Sequence, residues 1–366
     1  MRKILIIIIG IVGILIIGGL IYYFAFRSTP TAPQPATGPL TLAPGATPAT
    51  STEGLISPLK LLSSEPVFDY WVASSTQEIF YVTAGGKIAK VGSPANTYLS
   101  EQPVENLNFI LPSPDNQKII FAFGDSRQPQ FSIFDLTSNF WTPLPLEIKS
   151  LAFSPEGKRL AALISQNNQT NLAIIDLKAK ILKTLIKNFA LQDLKIDWLR
   201  PEEIIFSEKP SALTLSSAWR LNISKLNFTE IISPGRGLLL RWLKDDLGLK
   251  FQNSESSLIN WAGQVINELP FLALPDKCVF KSDALYCFLF SSGNLSRKTN
   301  WPDDYLQGVI YTKDDFYKID LNNLAEPQLI FNQWGGKAID ATNLKIFGNQ
   351  ILFLNRYDNN LYGLEL

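Results

Sequence analysis

One unit recurs along most of this chain: a short apolar strand, a tight polar turn and a second apolar strand. Residues 109–122 read FILPSPDNQKIIFA and residues 151–164 read LAFSPEGKRLAALI. Looser copies lie at 70–82 (YWVASSTQEIFYV), 197–207 (DWLRPEEIIFS), 241–251 (RWLKDDLGLKF), 278–290 (CVFKSDALYCFLF) and 344–354 (LKIFGNQILFL). A further strand of common pattern appears as FSIFDL at 131–136, LAIIDL at 172–177, FYKIDL at 316–321 and LYGLEL at 361–366. The turns fall near 75, 115, 156, 202, 245, 282 and 348, so five spacings lie between 37 and 46 residues and the last is longer by about 20. Apolar runs this short, bounded by Ser, Pro, Asn, Asp and Gly, suit strands and rarely carry a helical period. A repeat of 40–45 residues with four short strands per unit is the signature of propeller blades. The sequence therefore predicts an all-β fold, a seven-bladed β-propeller over 55–366, with six blades as the alternative because the unit around Arg241 is the least regular.

At Phe153-Ser154-Pro155-Glu156-Gly157-Lys158, and more loosely from Pro112 to Lys118, the turn resembles the WD40-like propeller repeats of the TolB type. The motif of that family is an aromatic residue followed by S-P-D-G-K and an apolar strand. The resemblance implies a propeller and, because TolB-type proteins serve as envelope interaction modules, a binding role at a cell envelope. The last unit stops at Leu366 without an outermost strand, while LISPLKLL (55–62) precedes the first complete unit unassigned. An open ring would leave sheet edges exposed. Residues 55–63 are therefore expected to pair beside the C-terminal strand.

The residues ahead of the repeats set a location. Residues 4–26 carry no charge and reach roughly 34 Å as a helix, enough for a hydrocarbon core about 30 Å thick. Arg2 and Lys3 precede this stretch, and the positive-inside bias keeps the N-terminus cytoplasmic. Without an A-x-A-like cleavage site it reads as an uncleaved signal-anchor. Residues 28–54 hold six prolines, seven threonines and one charge, and this Pro/Thr-rich composition predicts an extended stalk. The expected domains are thus the anchor (1–27), the stalk (28–54) and an extracellular or periplasmic propeller (55–366).

Composition narrows the chemistry. The chain has no histidine, which excludes Ser-His-Asp and Cys-His catalysis and His-containing zinc sites. Its 33 basic and 33 acidic residues cancel, removing any general case for nucleic-acid binding. No cofactor or metal site is expected. Cys278 and Cys287 flank a hairpin whose two-residue turn at Ser282-Asp283 sets them opposite one another, close enough for a disulfide. Two buried free thiols are the alternative.

Trp71, Trp198 and Trp242 recur just before turns, a position that suits packing between blades. The longer last spacing marks an insertion, roughly 291–308, with the run NWPDDYLQG. Trp301, Asp303, Asp304 and Tyr305 make it the candidate contact loop, with a short helix starting near its two acids. The acid pairs Asp245-Asp246, Asp303-Asp304 and Asp314-Asp315 suit a solvated turn better than a carboxylate dyad. The expected function is a membrane-anchored binding module for an envelope protein or glycan. A carboxylate-based glycosidase or lyase, with acids converging in the channel, is the enzymatic alternative. A spacer or assembly factor of an envelope complex is the structural one.

Overall fold

The computed structural model describes residues 59–366 except positions 74, 75, 94, 101, 168, 192, 245, 291–298 and 333–336. Residues 4–26 and 28–54, where the anchor and stalk are expected, lie outside the described residues. Among the described residues the strands form seven four-stranded antiparallel sheets, the blades of a β-propeller. The first strands of blades 1 to 7 are Val67–Ala73, Leu107–Pro112, Ile148–Phe153, Leu194–Arg200, Leu239–Lys244, Cys278–Lys281 and Ala341–Phe347. First strands of neighbouring blades approach one another. Fourth strands such as Ile181–Ile186 and Val265–Glu268 leave most of their residues exposed. The former therefore ring the centre and the latter form the rim. The fifth unit, around Arg241, is a regular four-stranded blade, so the count is seven and not six.

Side-chain alternation explains the packing. Successive residues of a strand point to opposite faces, and a blade has a neighbour on each face. In the second strand of blade 3, Leu160, Ala162 and Ile164 join blade 2, whereas Ala161 and Leu163 join blade 4. Both faces are apolar, so the segment reads as an uninterrupted LAALI. Every junction has such a core: blades 1–2, 2–3, 3–4, 4–5, 5–6, 6–7 and 7–1. The last of these places Tyr70 and Tyr81 against Leu352 and Leu361. Blade therefore meets blade around a complete circle.

The Ser-Pro turns are built by their serines. Ser154 Oγ accepts the Arg159 N–H at 3.0 Å, while the Gly157 N–H closes back on the Ser154 carbonyl at 2.8 Å. Gly157 has φ +70°, a conformation that glycine adopts at no steric cost. Blade 2 repeats the arrangement, with Ser113 Oγ accepting from Lys118 N at 3.0 Å and Asn116 in the left-handed position at φ +56°.

The ring closes through the chain ends. Leu59–Leu61 forms the outermost strand of blade 7, with Leu59 opposite Leu364, Lys60 opposite Gly363 and Leu61 opposite Tyr362. One blade earlier, Cys278 faces Cys287 across its hairpin, with Cα atoms 4.2 Å apart and the two sulfurs joined in a disulfide. Closing so short a loop contributes about 2–3 kcal/mol in the chain-entropy account. Changing both cysteines to alanine should lower the thermal midpoint by several degrees, and reducing agent should reproduce the shift in the parent. An unchanged melting curve after confirmed reduction would contradict this.

Candidate functional site

The central channel carries the first concentration of polar groups. At the blade 7–1 junction, Asn343 Nδ2 donates to Asp69 Oδ1 and Lys345 Nζ donates to the Tyr70 carbonyl. The Tyr70 hydroxyl donates to the carbonyls of Asn343 (2.5 Å) and Leu352 (2.8 Å). Arg241 Nη2 donates to the Leu344 carbonyl at 2.8 Å, and Arg241 Nη1 lies 4.0 Å from Asp276 Oδ1. Lys195 Nζ lies 3.0 Å from Asp197 Oδ2. A cavity of about 230 Å³ lies between Arg241, Phe280 and Lys345. Burial favours the uncharged amine of Lys345 and brings its pKa down to about 8, against the pull of Asp69. The three carboxylates named, Asp69, Asp276 and Asp197, each have a cationic or amide neighbour, although Asp276 also acts on Asp69 as a like charge.

The second concentration is on the face formed by the loops between second and third strands. In blade 6 this connection is the long insertion, and a four-residue helix at Asp303–Leu306 begins with the two acids foreseen there. Trp301 is half-buried and stacks on Phe290 at 5.3 Å and on Tyr305 at 5.6 Å. With Phe251, Leu274 and Phe290, these rings make a separate small core above blade 5. Asp303 Oδ1 accepts the backbone N–H of Ala212, on the matching loop of blade 4, at 2.7 Å. Asp304 Oδ2 accepts the Asn300 N–H at 2.8 Å. The insertion is thus a cap spanning from blade 6 across blade 5 to blade 4. Trp301, Asp303 and Tyr305 hold it down, whereas Asp304 ties the loop to itself. Its outward residues are Leu306 (48% exposed), Val309 (67%) and Tyr311 (48%).

Beneath the cap lies a buried ion network. Lys277, in the 3-10 turn Pro275–Lys277, is fully buried. Its Nζ donates to Thr312 Oγ1 (2.9 Å), Asp314 Oδ2 (2.5 Å) and Asp340 Oδ1 (2.6 Å). Asp340 also accepts from the Tyr305 hydroxyl (3.1 Å), Thr312 Oγ1 (2.8 Å) and Arg356 Nη1 (3.0 Å). Arg356 Nη2 donates to the Tyr305 carbonyl at 2.6 Å, and the guanidinium lies 3.9 Å from the Tyr305 ring centroid. Burial opposes a charged amine at Lys277, but the carboxylates of Asp314 and Asp340 outweigh it and hold the pKa above the usual lysine range. Two cations and two anions balance, and the hydrogen bonds tie blades 6 and 7 to the cap.

The other sequence candidates have structural places. Trp71 and Trp198 are buried in the junction cores of blades 1–2 and 3–4. Trp242 stands 4.4 Å from Trp261 between blades 4 and 5. Asp246 pairs with Arg200, and Asp245 lies outside the described residues. Asp314, read as half of a solvated acid pair, is buried in the ion network because its strand runs under the cap. Lys277, Asp340 and Arg356 were not foreseen: no local pattern marks a charge whose partners lie 37 and 63 residues away.

The class so defined is a seven-bladed β-propeller with a capped loop face. No protein-family model matches the chain, and no curated protein matches it in sequence. Its fold is similar to an oligogalacturonate lyase from Vibrio parahaemolyticus, at 9% identity and a TM-score of 0.56, covering 84% of this chain and 93% of that one. It is also similar to a catalytically inactive virginiamycin B lyase from Staphylococcus aureus, with 14% identity, a TM-score of 0.53 and coverage of 84% and 99%. The β-propeller domain of the Trilobed protease from Pyrococcus furiosus aligns at 11% identity and TM-score 0.51, over 81% and 92%. Likeness at such identities establishes the propeller and leaves function to the site.

Proposed function

We propose that this chain is a membrane-anchored binding module that displays its propeller outside the cytoplasm and uses the capped face to hold an envelope protein. The carrying observation is the cap itself: a fixed, partly apolar surface with Leu306, Val309 and Tyr311 exposed. Tyr357 (42% exposed) stacks on Tyr311 at 5.4 Å, and Leu213 (76%) and Leu215 (61%) flank the loop that Asp303 grips. Exposed apolar residues gathered on one face suit a protein partner. Pinning the loop in advance reduces the ordering cost of binding. The uncharged segment 4–26, the stalk composition and the likeness of the Ser-Pro turns to TolB-type repeats support the envelope setting. Interleaved acids and bases in the channel favour binding over carboxylate catalysis.

The test places a photo-crosslinking residue at Val309 or, as a control, at Ile181 on the rim, in the full chain in its own cells. A discrete adduct is expected from position 309 alone, and Leu306→Asp should reduce it at least tenfold. Both sites are exposed, so the melting temperature should stay within about a degree, as for surface substitutions worth less than about 0.5 kcal/mol. Equal crosslinking from both positions, or none from 309, would remove the cap as the binding face. External protease should release the propeller by cutting between residues 30 and 50; protection of that stretch while the propeller is accessible would reverse the orientation.

A further inference from the structure

A second site lies away from both cap and channel, where the connection from blade 1 to blade 2 crosses the loop face. The Val104 N–H donates to the Gly86 carbonyl at 3.0 Å, and the Gly124 N–H donates to the Asn106 carbonyl at 2.9 Å. Gly86 has φ +83°, and a Cβ there would lie 2.2 Å from the Val104 carbonyl oxygen, so the connection sits on backbone that only glycine allows. Between this fixed strip and blade 2 opens a cavity of about 580 Å³, within the usual size range of small-molecule sites.

Its lining is chemically specific. Trp141 and Phe123, both half-buried, supply aromatic surface. The Trp141 ring is held by Phe121 and Phe134, at 4.9 and 4.8 Å between centroids. Gln102, Asn106 and Gln130 add exposed amides, and Glu105 adds one carboxylate. Among the described residues no lysine or arginine lines the cavity. An amide offers a donor and an acceptor together, matching neighbouring hydroxyls that must both give and accept. A flat aromatic surface suits a ligand face of C–H groups. A ligand with an apolar face and a hydroxyl-rich edge is a carbohydrate, and a lining with one negative and no positive charge disfavours an acidic one.

We propose that the groove between blades 1 and 2 is a binding site for a neutral oligosaccharide, stacked on Trp141 and hydrogen-bonded by Gln102, Asn106 and Gln130. The site is independent of the protein partner at the cap, and either assignment can fail without the other.

The experiment titrates the full chain, held in a detergent without a sugar headgroup, with maltotetraose, cellotetraose, chitotetraose and, as the acidic arm, a tetragalacturonate. Calorimetry and tryptophan fluorescence provide the readouts. Saturable binding of at least one neutral sugar is expected, weakened at least tenfold by Gln102→Ala and by Gln130→Ala, both exposed positions that leave the melting curve in place. Trp141→Phe, which keeps a ring in the core, should weaken binding by a smaller factor and abolish most of the fluorescence change. Failure of all three neutral sugars to saturate, preference for the acidic sugar, or binding untouched by both glutamine variants would overturn the assignment. Loss of crosslinking at Val309 would not bear on it.

Discussion

Replacing Lys277 with methionine is expected to lower stability by about 3–5 kcal/mol, the usual cost of removing one partner from a buried ion pair. In a propeller of this size that corresponds to a fall in melting temperature on the order of 10 °C. Lys277 donates to both Asp314 and Asp340, and all three side chains are fully buried. Without it, Arg356 still neutralises Asp340 through a 3.0 Å contact, whereas Asp314 loses the ammonium that donates to its Oδ2. The variant should therefore respond to pH in a defined direction. Burial already holds the Asp314 carboxyl above the usual carboxylate range in the parent, with Lys277 pulling against it, so losing the lysine raises it further. Protonation then favours the fold at low pH, and stability is lost as pH rises through the folded pKa. Thermal melts at pH 5 and pH 8 should separate more widely for Lys277→Met than for the parent, in the same direction. Adding Asp314→Leu should restore part of the loss by removing a buried carboxylate that has lost its lysine. Loosening Asp340 also frees Tyr305, so protease should cut the cap sooner in the single variant. A Lys277→Met protein with parental melting and no added pH dependence would show that the network is not stabilising in this sense.

Removing the strand Leu59–Leu61 together with Leu62 should open the ring. Three residue pairs join this strand to the last one, the Leu62 N–H donates to the Leu361 carbonyl at 2.9 Å, and Ser63 Oγ accepts the Leu361 N–H at 3.1 Å. Leu59 and Leu62 also pack against the cores at the 6–7 and 7–1 junctions. With roughly 0.5–1.5 kcal/mol per hydrogen bond plus partial burial of two leucines, the loss is about 3–5 kcal/mol. The strand Asn360–Glu365 would then present a free edge, and unpaired edges recruit other strands. The expected result is a lower melting temperature with concentration-dependent association in light scattering. A shortened protein that stays monomeric and melts like the parent would mean that the Tyr70 hydroxyl and the apolar contacts between blades 7 and 1 suffice for closure.

Much of the fold was legible because it repeats. All seven turns anticipated near 75, 115, 156, 202, 245, 282 and 348 connect the first and second strands of successive blades. The FSIFDL-type segments are all third strands, as in Gln130–Asp135 and Asn360–Glu365. Fourth strands were the least visible: Ile181–Ile186 exposes four of six residues, and Thr97–Tyr98 has only two, so neither leaves a strong apolar pattern. The insertion was recognisable by its extra length, but its orientation was not. Trp301 and Tyr305 are the residues that attract notice in the sequence, and their apolar surface is why they turn inward, leaving shorter side chains such as Val309 outside.

Local chemistry therefore determined the repeating blade, the serine-built turns and the facing cysteines, because each depends on residues close together along the chain, while the choice of seven blades over six came from the structure. Only the closed three-dimensional ring decided that Lys277, Asp314, Asp340 and Arg356 share one buried network and that Gln102 and Trp141 line one groove. Those groups meet through the curvature of the whole assembly, and a charge or an amide carries no local mark of the distant partner that will compensate its burial.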